Sequence, residues 1–262
     1  MANALFTRSA DERYIPSEHT RGPWDPDSMH GGAPACLIAR EFERMEPGSQ
    51  LPIARLGFEF LKPIRFEPLA LTTEVVRDGR RVQLLGAELR AGSELICRAT
   101  ALRIQEVPEG LPSQGPPAAA SMPGPEEGTE QVFSLDNSTA ASFATTGIEM
   151  SWLSDPWALG PGRVWMRPRL NFQPERPFTP LMRLAAAADF GNGISAELPF
   201  DEYLFINADL TIHLWRRPEG EWIGLDARTL LLQNGIGTAE SVLHDVNGPV
   251  AQAFQTLVVQ PR

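Results

Sequence analysis

Asp189 is the first residue of this chain whose position suggests chemistry. It follows four consecutive alanines, residues 185–188, and precedes Phe190 and Gly191. The alanine run predicts a helix that packs closely against a sheet, and Gly191 predicts a cap just past the end of that helix. Asp189 then lies in the last helical turn, where the macrodipole disfavours negative charge by about 0.3–1 kcal/mol. A carboxylate in that place is more basic than usual; an ordinary solvated surface aspartate is the alternative.

Two amide side chains are further candidates. Asn207 stands at the start of a predicted strand and on its polar face, which by itself is typical of an exposed strand residue. Gln255 lies in the last predicted strand, so it is either buried or lines a cavity, and a buried amide needs hydrogen-bond partners. The face of that strand is otherwise small and apolar: Ala251, Ala253, Leu257 and Val259.

The segment His30-Gly31-Gly32 precedes the first predicted helix. Backbone N–H groups at the start of a helix can bind an anion or polarise a carbonyl group, so these residues are predicted to bind substrate. A loop that needs a flexible backbone explains the same residues. His-Gly-Gly also occurs in the oxyanion loop of α/β-hydrolases, but the Gly-x-Ser-x-Gly elbow that such an enzyme requires is absent from the sequence.

Asp25 and His30 have the five-residue spacing of an acid–base pair in hydratases. The Asn-Pro expected between them is missing, and residues 27–29 read Asp-Ser-Met instead. A hydratase that uses this pair is therefore kept only as an alternative.

The remaining reactive side chains suggest no catalytic or metal centre. Cys36 lies on the first predicted helix without an evident partner, so we interpret it as a small core residue. Neither a phosphate-binding loop nor a dinucleotide fingerprint occurs in the sequence. We therefore expect no metal and no cofactor. The other histidines are scattered along the chain: His19, His213 and His244.

The elements that must position these residues follow a pattern that the chain repeats. Turn signals of the form X-Gly occur at residues 78–79 and 91–92, and again 156 residues later at 234–235 and 247–248. Both residues of such a turn are predicted to need positive φ. A helix is predicted before each set, over residues 33–44 and over Pro180–Asp189 with Thr179 as its N-cap.

The repeat predicts an α+β fold of two tandem modules, each with a long helix wrapped by an antiparallel sheet. The predicted modules are residues 1–107 and 131–262, joined by a Pro/Gly-rich extended linker over residues 108–130. Strands are predicted over residues 53–61, 69–77, 80–90, 93–104, 147–152, 163–168, 203–215, 221–232, 237–244 and 250–259.

Composition narrows the class of protein. A net charge of −10 argues against a nucleic-acid partner, whose backbone is itself negative. Two cysteines match no disulfide framework, and 42% hydrophobic residues can form a sizeable core. The first ten residues lack the apolar region of a signal peptide, and no run approaches the ~18–20 apolar residues of a membrane span. A cytoplasmic protein without a membrane partner is expected.

Several of these segments occur together in one known family. They are His30-Gly31-Gly32, residues 55–63 (RLGFEFLKP), residues 76–82 (VRDGRRV), Ala188-Asp189, residues 209–216 (DLTIHLWR) and Phe254-Gln255. With them the chain resembles the acyl-CoA thioesterase II-like family over nearly its whole length. That resemblance implies a double hotdog fold and the hydrolysis of acyl-CoA to a carboxylic acid and CoA, an activity within lipid metabolism.

The resemblance also implies which residues would do the chemistry. The family's Asp, Thr and Gln, which hold and activate water, fall on Asp189, Asn207 and Gln255. Asn207 replaces the usual hydroxyl residue and can still donate hydrogen bonds. A homo-oligomer, a dimer or larger, is expected by analogy. Two alternatives stay open: an enoyl-CoA hydratase that uses Asp25 and His30, and an acyl-CoA binding protein without catalysis.

Overall fold

The computed structural model describes residues 4–45, 51–107, 110–112, 115, 121–134 and 140–262. Within these ranges one sheet of fourteen strands carries helices on one side. In the same ranges no helix is long and apolar enough to cross a membrane. The helices are α1 (Gly32–Arg44), α2 (Pro180–Ala188) and α3 (Gly191–Ile194), with shorter helical turns at Glu18–Thr20, Pro125–Glu127 and Phe143–Gly147.

The strands are, in chain order, β1 (Phe6–Arg8), β2 (Tyr14–Pro16), β3 (Ile53–Phe60), β4 (Leu69–Arg77), β5 (Val82–Ala91), β6 (Glu94–Ile104), β7 (Thr129–Glu130), β8 (Ile148–Trp152), β9 (Gly162–Pro168), β10 (Tyr203–Asn207), β11 (Asp209–Leu214), β12 (Ile223–Leu231), β13 (Ile236–Asp245) and β14 (Gly248–Pro261). Each predicted strand except one coincides with an observed strand, with ends that differ by two residues or fewer. That exception, residues 203–215, is divided between β10 and β11.

The strand order is the same in the two halves of the sheet. The first half runs β4-β5-β6-β3 and the second runs β12-β13-β14-β11. The halves meet where β3 and β11 pair antiparallel, with Phe58 opposite Leu210. Residues of these two strands alternate between a buried and a more exposed face, as expected for a sheet that is covered on one side. The repeat seen in the sequence therefore has a counterpart in the order of the strands.

The two long helices pack against each other in antiparallel orientation. The residues at the start of α1 meet the end of α2, where His30 contacts Asp189, and the end of α1 meets the start of α2, where Glu43 contacts Thr179. Ala185–Ala188 are at most 2% exposed, because small side chains let the helix approach its neighbours closely. Thr179 is the predicted N-cap and accepts a hydrogen bond from the backbone N–H of Met182 at 3.2 Å.

The predicted cap at Gly191 is wrong. The chain does not turn away after α2; Gly191 begins the short helix α3, and its φ is not positive. The turn glycines also differ from expectation. Gly92, Gly235 and Gly248 have φ of +56°, +80° and +109°. Gly79 does not have positive φ, and neither does the residue that precedes each of these four glycines. Positive φ at both residues of each turn is therefore wrong.

A bulge separates β10 from β11 at Ala208. Asn207 lies opposite Leu257 of β14, and Thr211 lies opposite Phe254. Between these pairs the β10–β11 side has one more residue than β14. An extra residue of this kind reverses the face to which the following side chains point.

The bulge turns Asn207 toward the interior. Phe205 is buried and Ile206 is 38% exposed, so in β10 the odd-numbered residues point inward, whereas in β11 the buried residues are the even-numbered Leu210 and Ile212. Asn207 accordingly reaches Asp189. The prediction that Asn207 lies on the polar face of one continuous strand is therefore wrong.

The predicted linker is partly built into the sheet. Within residues 121–130, Pro125–Glu127 forms a helical turn and β7 pairs with β8. The indole N–H of Trp165 donates to the carbonyl of Pro123 at 2.7 Å. This stretch is therefore packed against the rest of the chain, because a buried indole and a sheet edge both take hydrogen-bond partners from it. The division of the chain by a linker stays a prediction. Most of residues 108–120 lies outside the described ranges.

The contact between Glu43 and Thr179 gives a prediction about stability. Burial raises the pKa of the Glu43 carboxyl, an effect that the hydrogen bond from Thr179 Oγ1 only partly offsets. Folding at pH 7 therefore desolvates a charge. Glu43→Gln removes the charge and keeps an oxygen that accepts from Thr179, so we expect a higher melting temperature than that of the unaltered protein at pH 7.

The pH dependence checks the cause. A carboxyl whose pKa is raised by folding stabilises the fold below its unfolded pKa and loses that contribution as pH rises through the folded value. The advantage of Glu43→Gln should accordingly shrink toward pH 4, as measured by thermal unfolding. Glu67→Gln, at an exposed glutamate, is the matched control. An advantage of equal size at both pH values would contradict this account.

Candidate active site

Asp189 is a buried carboxylate at the end of a helix. It is the C-cap residue of α2 and only 3% exposed, so it is not a solvated surface aspartate. Burial and the negative end of the helix dipole both oppose a charge here. Such a carboxylate requires hydrogen-bond donors around it.

Two amides provide donors from the C-terminal half of the chain. Asn207 Nδ2 donates to Asp189 Oδ1 at 2.9 Å. Gln255 Nε2 donates to the Asp189 carbonyl at 3.2 Å and lies 3.5 Å from Oδ1. Gln255 is 1% exposed, as predicted for an amide on an apolar strand face, and its Oε1 accepts from the backbone N–H of Asn192 at 3.0 Å.

Gly191 is required by this packing. A Cβ at Gly191 would lie 2.7 Å from both Gln255 Oε1 and Ser241 Oγ, closer than a carbon and an oxygen can approach. Its role is therefore to let α3 pass against β13 and β14, so that the N–H of Asn192 reaches Gln255. The sequence contains no signal for Asn192, whose side chain donates to the carbonyl of Phe205 at 2.8 Å.

His30 provides the third contact, from the N-terminal half. Its Nδ1 lies 2.9 Å from Asp189 Oδ2, and its side chain is 11% exposed. The ring packs beside Phe190 and Phe143, with ring centroids 4.2 Å and 5.2 Å away. Sequence reasoning did not predict this pairing, because nothing local relates a loop before α1 to the end of α2.

Gly32 competes for the same nitrogen. Its backbone N–H points at His30 Nδ1 at 3.1 Å, and in that contact Nδ1 would be a hydrogen-bond acceptor. The contact between Nδ1 and Asp189 Oδ2 instead requires a proton between these two atoms. A lone pair facing a carboxylate lone pair at 2.9 Å would be repulsive, so we infer that a proton lies between Nδ1 and Oδ2. The Gly32 N–H then retains little of its hydrogen bond to the ring.

Glycines 31 and 32 allow the two helix ends to meet. A Cβ at Gly31 would lie 2.7 Å from Asp189 Oδ2, and one at Gly32 would lie 2.6 Å from the carbonyl oxygen of Ala186. Gly31 has an ordinary helical φ of −59°, so close approach and not backbone conformation requires a glycine.

A cavity of about 460 Å³ opens onto this group. Its walls come from the loop before α1, the β3–β4 connection and β10, and Lys62 lies at its edge. Among the candidate residues it is lined by Asp25, His30, Gly31, Asp189 and Asn207. Gln255 and Gly32 are not in its wall. Gln255 therefore acts on Asp189 and Asn192 and not directly on a molecule in the cavity.

A second, smaller cavity of about 70 Å³ also has His30 in its wall. It shares Gly22, Trp24, His30 and Asn192 with the larger cavity. Its remaining wall contains apolar groups, among them Phe133 and Phe190, and polar residues such as Thr145. His30 thus contributes to the walls of both cavities.

The acid–base pair of the hydratase alternative does not form a direct contact. Asp25 accepts from the backbone N–H of Asp27 at 2.9 Å and from Ser28 Oγ at 3.1 Å, and these hydrogen bonds lower its pKa. His30 is paired with Asp189 instead. Both Asp25 and His30 nevertheless line the larger cavity.

The other candidates do not line the larger cavity. Cys36 is fully buried in α1, as predicted, and burial raises the pKa of its thiol. His213 and His244 lie in β11 and β13. Within the described ranges no group of three His, Cys, Asp or Glu residues is arranged to hold a metal ion.

The fold is shared with known structures. A protein described as a thioesterase II from Thermobifida fusca YX superimposes with a TM-score of 0.73 at 18% identity, covering 97% of this chain and 95% of the other. A hot dog fold protein of Alicyclobacillus acidocaldarius gives a TM-score of 0.75 at 15% identity, covering 99% and 96%. An acyl-CoA thioesterase II of Mycobacterium marinum gives 0.61 at 17% identity, covering 94% and 96%. These likenesses establish a hotdog fold.

The family follows from the sequence itself. No curated protein matches the chain. The sequence profile of the acyl-CoA thioesterase N-terminal domain matches residues 20–104, and that of the C-terminal domain matches residues 113–259. Together the two profiles cover most of the chain, in the order expected for one protein. The chain therefore belongs to the acyl-CoA thioesterase family.

Proposed function

We propose that this thioesterase hydrolyses acyl-CoA to a carboxylic acid and CoA in the larger cavity, with a water molecule activated beside Asp189. The observation that carries this proposal is a buried carboxylate, held by N–H donors from both halves of the chain, at the wall of a cavity of about 460 Å³. Family membership supports acyl-CoA as the substrate.

Hydrolysis of a thioester requires few groups beyond those in this arrangement. A thioester carbonyl carbon is electrophilic and its sulfur is a good leaving group, so the barrier lies mainly in generating a nucleophile from water. A positioned proton acceptor contributes about 10²–10⁴-fold to such a step. The proposed site offers two candidate acceptors, the carboxylate of Asp189 and the imidazole of His30.

We assign the roles according to position. Asp189 and Asn207 lie in the cavity wall, beside the position proposed for the water. Gln255 is a positioning residue, because it contacts Asp189 and Asn192 from behind. His30 and Gly31 line the cavity, and the Gly32 N–H stands beside His30 Nδ1.

The architecture is proposed to be a double hotdog of two tandem modules. The repeated strand order and the antiparallel pair α1 and α2 support this proposal. In this arrangement His30 comes from the first module and Asp189 from the second. The module boundaries near residues 107 and 131 stay predictions, as does the homo-oligomer.

Asp189→Asn tests the proposed function. The substitution keeps the shape of the side chain and removes its charge, so thiol release from a panel of short- to long-chain acyl-CoAs should fall at least about 100-fold in kcat. Asp201→Asn, at an exposed aspartate, is the matched control and should retain full activity.

Each outcome of this assay has a definite meaning. Thiol release by the unaltered protein, together with its loss in Asp189→Asn, supports the proposal. Tight acyl-CoA binding without release from any substrate would favour the non-catalytic alternative. Hydration of enoyl-CoA that survives Asp189→Ala and disappears in His30→Ala would favour the hydratase alternative. Equal release by both proteins would mean that the site lies elsewhere.

Gly31→Ala gives a second prediction. Its Cβ would lie 2.7 Å from Asp189 Oδ2, so the carboxylate must move away from His30 and the cavity wall. We expect kcat to fall at least about tenfold, since small displacements of reacting groups are costly. Steady-state kinetics together with circular dichroism measures this effect in the folded protein.

Gly57→Ala is the control for the glycine substitution. Its Cβ would meet only Thr100 Oγ1, at 3.3 Å, in the middle of β3. A loss of activity in Gly57→Ala equal to that in Gly31→Ala would indicate a general effect on folding and would contradict the specific role of Gly31.

A further inference from the structure

We infer that His30 is the catalytic base of the proposed hydrolysis: Nε2 accepts a proton from the attacking water, while Asp189 holds the imidazole through Nδ1. The inference rests on the proposed function and assigns the proton acceptor within it. It joins one residue from each half of the chain in a single catalytic dyad.

The oxygens of Asp189 are already engaged. Oδ2 faces Nδ1 of His30 at 2.9 Å, and Oδ1 receives Asn207 Nδ2 at 2.9 Å with Gln255 Nε2 at 3.5 Å. The side chain as a whole is 3% exposed. A water molecule that approached the carboxylate would have to share these positions with three N–H groups. The arrangement suits a carboxylate that holds other groups in place.

Nε2 of His30 is the basic atom that remains open. Among the described residues the polar contacts of His30 use Nδ1, and Nε2 makes no hydrogen bond. Nε2 is also absent from the buried polar atoms without a partner, so it is accessible to a small molecule. The ring lines both cavities. A proton on Nδ1, held toward Asp189, leaves the lone pair of the ring on Nε2, where water can be bound and deprotonated.

Aromatic packing keeps the ring in this orientation. Phe190 and Phe143 are stacked at 5.6 Å with an interplanar angle of 18°, and the imidazole packs against both. Together with the bond to Asp189, these contacts fix the plane of the ring. Nε2 is therefore presented to the cavity in one direction.

The step balances without any further reactant. Nε2 takes one proton from water, the water oxygen forms a bond to the thioester carbon, and the carbonyl electron pair moves to oxygen. The tetrahedral adduct then collapses, the C–S bond breaks, and the proton on Nε2 passes to the sulfur of CoA. The products are a carboxylic acid and a free thiol, and His30 returns to its neutral form.

His30→Asn separates a base from a structural donor. The side-chain amide of asparagine can replace Nδ1 as a donor to Asp189, but it has no basic atom. We expect kcat for thiol release to fall at least tenfold in His30→Asn and in His30→Ala, on a substrate that the unaltered protein hydrolyses. His19→Asn is the matched control and should retain activity. In the unaltered protein the His19 imidazole contacts Thr146 Oγ1 at 2.7 Å.

Chemical rescue completes the test. Added imidazole should restore activity to His30→Ala at least tenfold and should leave His30→Asn unchanged, because the asparagine fills the space. Binding of an S-alkyl-CoA thioether, which cannot be hydrolysed, measures whether each variant keeps its site. The dyad is supported if both variants bind the thioether and lose kcat, and if imidazole restores the activity of His30→Ala.

Other results would overturn the inference. A loss smaller than tenfold in His30→Asn, or no rescue of His30→Ala, would show that His30 only holds Asp189 in place. If Asp189→Asn is inactive in the same experiment, the proposed hydrolysis stands and only the assignment of the base fails. If the unaltered protein releases no thiol, the proposed function fails first.

Discussion

A buried negative charge at the C-terminal end of α2 is the constraint on which the rest of the site depends. Desolvation and the helix dipole both oppose it, so its oxygens need N–H donors at short distance. Contacts of 2.9 Å come from the loop before α1 and from β10, and the Gln255 amide of β14 donates to the Asp189 carbonyl and lies 3.5 Å from Oδ1. Each segment must lie where it does for the carboxylate to be tolerated. The bulge at Ala208 and the absence of side chains at Gly31 and Gly191 follow from the same requirement.

The local parts of this arrangement can be predicted from the sequence. The alanine run, Thr179 and Pro180 predict α2 and its start, because capping and close packing depend on neighbouring residues. Alternation along the last strand predicts that Gln255 is buried, since the side-chain period of a strand is two. The repeated turns predict the long antiparallel strands. All of these signals span fewer than about fifteen residues, the range over which periodicity operates.

The parts that could not be predicted depend on contacts between distant segments. The run from Tyr203 to Trp215 alternates without a visible break, so the extra residue at Ala208 becomes evident only when β14 lies opposite. Asn207 was consequently expected on the wrong face. His30 was recognised as a candidate, but its partner, Asp189, lies in the other half of the chain. Gly191 resembled a helix cap, whereas the space that it leaves is occupied by Gln255 and Ser241.

An antiparallel helix pair has two junctions, one at each end, where the start of one helix meets the end of the other. In this protein the two junctions differ in their chemistry. At one, an imidazole meets a carboxylate beside the cavity; at the other, the hydroxyl of Thr179 meets the carboxylate of Glu43, and neither residue lines that cavity. The near-twofold arrangement of the helices thus has a chemically asymmetric outcome. Under the proposed function, substitutions at the first junction would lower activity, while those at the second would alter stability alone. In the proposed double hotdog, one of the two helix junctions would therefore carry the site while the other only joins the helices.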